Sequence, residues 1–155
     1  MKYFTAILLV CFLWACNTAG PSAKEGVSAT DTIISHEHHA EAPAQLYLNG
    51  NTKWKADVST NVNVKALQDM ADAFGKTDTP GMAEYQQVVV NLQSGLDKMI
   101  RECRMKGADH DALHQWLEPL LKQVKRLASE KEVNEAKASF DQVHQQLALY
   151  NTYFE

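Results

Sequence analysis

Residues 85–103, YQQVVVNLQSGLDKMIREC, decide the fold. Tyr85, Val89, Leu92, Leu96, Met99 and Cys103 recur every three or four positions, so they share one face of a helix, and polar or charged side chains fill much of the remainder. Gly95 interrupts the run. In a helix interior it costs about 1 kcal/mol against alanine, unless a second helix comes close enough there to need the missing side chain.

The same period continues on both sides. Upstream, Val64, Leu67, Met70, Ala71 and Phe74 predict a helix from near Thr60 to Gly75, a residue suited to a left-handed cap. Asp78 or Thr79 before Pro80 marks the start of the second helix, and Lys106-Gly107 its end. A third helix opens near Asp109 with acidic residues in its first turn and buries Leu113, Leu117, Leu120, Val124 and Leu127; Pro119 lies inside it and predicts a kink or a division. From about Lys131 a fourth presents Ala136, Phe140, Val143, Leu147, Tyr150 and Phe154. Four amphipathic helices with short connections predict an all-α, antiparallel four-helix bundle. Before them Leu46 and Leu48 alternate with polar neighbours ahead of Asn49-Gly50, and Trp54 follows, which predicts a short N-terminal β-hairpin-like segment that must pack on the helices.

The start of the chain has a different character. Lys2 is followed by an apolar run from Phe4 to Trp14, then Ala15 and Cys16, the pattern of a lipoprotein signal peptide over residues 1–15. The apolar run is too short to span a bilayer. Cleavage before Cys16 and acylation of its thiol then give a lipid-anchored protein in the bacterial cell envelope, on the periplasmic side or associated with the outer membrane. Trp14 is bulky for its place two before the cysteine, and Cys11, preceded by Val10, is a poorer lipidation site. Residues 16–45 are rich in small and polar groups with few large apolar ones, and read as a flexible tether; residues 46–155 form the helical domain. The net charge of −4, with no basic run, leaves nucleic acid without an electrostatic footprint.

Candidate chemistry gathers around the turn between the second and third helices. His110 and His114 are four apart and lie on one helix face, Cys103 ends the preceding helix, and Met105 stands between. Thiolate and imidazoles suit zinc or copper(II), and a methionine thioether beside the thiolate suits copper(I). The same residues also have ordinary readings: Cys103 as a small buried hydrophobe, Met105 as packing, His110 as a boundary histidine bonded to backbone. Asp109 and Asp111 are helix-start charges or carboxylates that orient the rings. His144 lies beside the core face of the fourth helix, within conceivable reach of the cluster. In the tether His36, Glu37, His38 and His39 form a short chelating tract for a transition metal, or an incidental polar linker.

Taken together, Leu48-Asn49-Gly50, Lys53-Trp54 and the run Cys103-x-Met105-x-Gly107-x-x-His110-x-x-x-His114-x-Trp116-Leu117-x-Pro119 resemble a group of small bacterial lipoproteins with a histidine-rich tether and a helical-bundle domain. The resemblance implies that the cysteine, methionine and two histidines act together in metal handling. No Gly-rich phosphate loop, G-x-S-x-G, HExxH or CxxCH is present, so the reading is not that of an enzyme. A Cys103 and His110 nucleophile pair lacks an evident third group, and non-covalent haem in the bundle is a further alternative. The sequence thus predicts a membrane-anchored protein that binds copper or zinc for sequestration or delivery. The rival is a metal-free envelope adaptor or chaperone-like protein with a protein partner.

Overall fold

The computed structural model describes residues 45–155. The signal peptide, Cys16, and His36, His38 and His39 of the tether lie outside the described residues. Four helices follow in order: α1 (Val58–Gly75), α2 (Met82–Glu102), α3 (Gly107–Ser129) and α4 (Val133–Tyr153). α1 packs chiefly on α2 and α3 on α4, while α1 against α4 and α2 against α3 close the ring, so the predicted four-helix bundle is the observed fold.

All the apolar positions read from the helical period are in the core or packed against it, joined by Val88, Met105, Ala112 and Trp116. Gly95 is explained by the α1–α2 crossing. A Cβ there would lie 2.7 Å from Leu67 Cδ2 and 3.1 Å from Met70 Cε, so only glycine lets the two helices meet at this distance.

Several boundaries differ from expectation. The hairpin-like segment reduces to one antiparallel bridge between Asn49 and Thr52 around Gly50 (φ 63°), and no strand is present among the described residues. Trp54 instead pairs with Phe154: its amide donates to the Tyr153 carbonyl at 2.8 Å, and its carbonyl accepts from the Glu155 amide at 3.0 Å. Gly75 is the last residue of α1 rather than a left-handed cap, since Lys76 caps the helix in right-handed geometry. Gly107 (φ 64°) opens α3 rather than ending α2, because the chain has already turned extended at Cys103. α2 begins after Gly81, whose amide donates to the Glu84 carboxylate at 3.0 Å, and α4 begins at Val133.

Pro119 does not divide α3. Its ring removes the amide that would serve the Gln115 carbonyl, but that residue is exposed and water can take its place. One residue on, α4 supplies support. The Gln146 side-chain amide donates to the Trp116 carbonyl at 2.8 Å, and the Trp116 indole donates back to the Gln146 carbonyl at 2.8 Å.

Candidate metal centre

Cys103 is placed by the residues on either side of it. The Ser59 hydroxyl lies 2.9 Å from the Glu102 carbonyl and 2.9 Å from Asp57 Oδ1, sharing its single proton between them. Asp57 Oδ2 accepts the Arg104 amide at 2.6 Å, and the Cys103 amide donates to the Met99 carbonyl at 2.9 Å. The end of α2 is thereby tied to the start of α1. Asp57 also caps α1, with Oδ1 accepting the Thr60 amide at 2.6 Å. Burial pushes its carboxyl up, but the Thr60 and Arg104 amides and the Ser59 hydroxyl outweigh that and hold it down at about 2.

A polar bridge strengthens the same junction. Buried Asn63 donates to Glu102 Oε2 at 2.8 Å and accepts from Lys98 Nζ at 2.6 Å, while Lys98 reaches Glu102 at 3.0 Å. These donors lower the Glu102 carboxyl, Asn63 first and Lys98 second. On the inner side Tyr150 donates to Asn61 Oδ1 at 2.8 Å; burial, and then nearby Asp57 and Cys103, push its hydroxyl above the ordinary phenol range.

The two histidines occupy the first turns of α3. Their ring centroids are 4.6 Å apart at an interplanar angle of 71°, an edge-to-face pair. Asp109 fixes this end of α3 by accepting the Lys55 amide at 2.9 Å, so one of its carboxylate oxygens serves the fold. Asp111 is exposed.

Cys103, His110 and His114 line one cavity of about 150 Å³ between α2 and α3, whose other walls are mainly apolar, with Leu113 and Leu117 on α3 and Ile100 on α2. Met105 does not line it and is buried in the core. Met99 does, a residue the sequence marked only as a core position. Its place four residues before Cys103 on the same helix face was the available signal. His144 is not part of the cavity: its Nε2 lies 2.7 Å from Asp72 Oδ1, across the α1–α4 face.

The cavity walls thus carry a thiol, a thioether and two imidazoles in apolar surroundings. Among the described residues no three His, Cys, Asp or Glu side chains are grouped closely enough to hold an ion as they stand. Coordination requires these side chains to draw closer together than they stand. His114 is exposed, so its ring has room to turn.

No family model, no curated protein and no solved structure matches the chain. Among the described residues no helix is long and apolar enough to cross a membrane.

Proposed function

We propose that this is a lipid-anchored, extracytoplasmic lipoprotein that binds a transition metal at the α2–α3 cavity, copper(I) in preference to zinc, for sequestration or delivery. The observation that carries the reading is the shared cavity wall: Cys103 comes from the turn after α2 and His110 and His114 from α3, yet they line one small apolar recess with Met99 of α2. A thiolate and a thioether together favour a soft ion, and an apolar wall limits competition from water. His36, His38 and His39 would capture ions weakly and pass them to the domain.

Anaerobic titration with copper(I), and in parallel with zinc, tests this on the full chain carrying alanine at 36, 38 and 39. The expected result is one ion bound per chain, with binding lost in both Cys103→Ala and His114→Ala. Absence of binding would end the metal reading. A second reading would then stand, because Ile100 and Leu121, exposed at 47% and 39%, flank the same recess and suit an envelope protein partner.

A further inference from the structure

At one end of the bundle, away from Cys103 in the chain, Phe74, Tyr85 and Phe140 form an edge-to-face trio. Phe74 lies 5.1 Å from Tyr85 and 4.7 Å from Phe140 between ring centroids. These rings are part of the wall of a cavity of about 580 Å³ between the α1–α2 connection and the start of α4, within the range of small-molecule sites. Rings that pack fully against one another ordinarily close a core. Here they stop at open space.

Tyr85 supplies the chemistry. Its side chain is almost wholly buried, at 3% exposure, and its hydroxyl makes no hydrogen bond among the described residues. That hydroxyl is not sealed from solvent, and Tyr85 lines the cavity, so the hydroxyl is available to a bound molecule. A phenol open to water in a recess can exchange that water for a ligand atom, as donor or acceptor. The charged groups on the wall, Lys137 and Asp141, pair with each other at 2.9 Å and cancel. Burial raises the Tyr85 hydroxyl above its ordinary range, with Lys137 opposing and Asp141 reinforcing the shift, which keeps it protonated and able to donate. Thr79, on the rim, is held at φ 45°, an uncommon conformation for a β-branched residue and one that shapes the mouth.

We infer that this cavity binds a small uncharged aromatic molecule bearing a hydroxyl or carbonyl group, its ring packing against the edge-to-face trio of Phe74, Tyr85 and Phe140 and its polar atom meeting the Tyr85 hydroxyl. An uncharged ligand is specified because the wall offers no net charge, and an aromatic one because Phe74, Tyr85 and Phe140 are the large apolar side chains among its lining residues.

The test is calorimetric titration of the full chain with 1-naphthol, with 3-phenylpropionate and phenethylamine as charged comparators. Saturable binding of naphthol is expected, at least 10-fold tighter than either comparator. Tyr85→Phe, which keeps the ring, should weaken it by about 3- to 10-fold, the worth of one hydrogen bond. Val133→Trp, at a lining position 41% exposed, should obstruct the cavity and abolish binding without altering thermal unfolding. No saturable binding, equal binding of a charged comparator, or binding indifferent to both substitutions would overturn the inference.

Discussion

The carboxylate of Asp57 accepts the backbone amide of Arg104 at 2.6 Å, joining the first turn of α1 to the link that leaves α2. With Ser59 on the Glu102 carbonyl, it fixes the backbone on both sides of Cys103. The position of the thiol is therefore controlled by residues more than forty positions earlier.

Asp57→Ala removes a helix cap and leaves the Arg104 amide without its partner. A loss of about 2 kcal/mol is expected, from roughly 1 kcal/mol for the cap and a similar amount for the second bond. Urea unfolding followed by circular dichroism measures it; a change below about 0.5 kcal/mol would mean that water replaces both bonds.

Acid should weaken the fold through the same residue. The folded carboxyl titrates at about 2 against an ordinary value of 3.8, so the unfolded chain takes up the proton first. The stabilisation is complete above about pH 5, declines as the pH falls through that interval, and is lost below it. Because the group is partly solvated, a contribution on the order of 1–2 kcal/mol is expected. Unfolding at about pH 5 and pH 2.5 should show a smaller decline in Asp57→Asn than in the unaltered chain.

Gly95→Ala should destabilise despite alanine's better helix propensity. The added methyl meets Leu67, which is fully buried and has little room to yield. Overpacking of about 1–3 kcal/mol exceeds the gain of about 1 kcal/mol, leaving a net loss on the order of 1 kcal/mol. A raised melting temperature would show that the α1–α2 crossing relaxes.

Pro119→Ala restores an amide to α3 where the helix already runs unbroken. An increase of about 1–2 kcal/mol is expected, less than the full interior-proline penalty because Gln115, whose carbonyl loses the bond, is exposed to water. Gln146→Ala, in contrast, should cost about 1 kcal/mol. Thermal unfolding of both variants gives the signs directly.

Met99→Leu separates the two candidate ions. The swap nearly conserves volume and should cost under about 1.5 kcal/mol of stability. Copper(I) affinity should fall about 10-fold or more while zinc affinity hardly changes, since only the soft ion uses the thioether. Equal retention of copper(I) would assign Met99 to packing.

The helices were legible because their cores repeat at helical spacing, and the fourfold pattern from Val64 to Phe154 left few alternatives to a bundle. Gly95 was legible too, as a cost that only close approach explains. The junctions were not. Asp57 and Ser59 lie in an unremarkable stretch, and their partners at 102 and 104 come into reach only once α1 and α2 are antiparallel. Nor does periodicity separate Met99 from Met105, because both positions are buried and only the path of the turn decides which sulfur lines the cavity.

The pairing of Trp54 with Phe154 has a consequence for the order of assembly. α1 with α2, and α3 with α4, are neighbours along the chain, whereas Lys55 meets Glu155 across 100 residues. Local contacts form at small entropic cost and distant ones wait for them. The expected order is therefore two helical hairpins first, with the strap across the chain's far-apart segments fastening onto a bundle already built. The same strap is held by a few backbone bonds at Trp54 and Ala56, so its amides are expected to exchange with solvent ahead of those in the helix interiors.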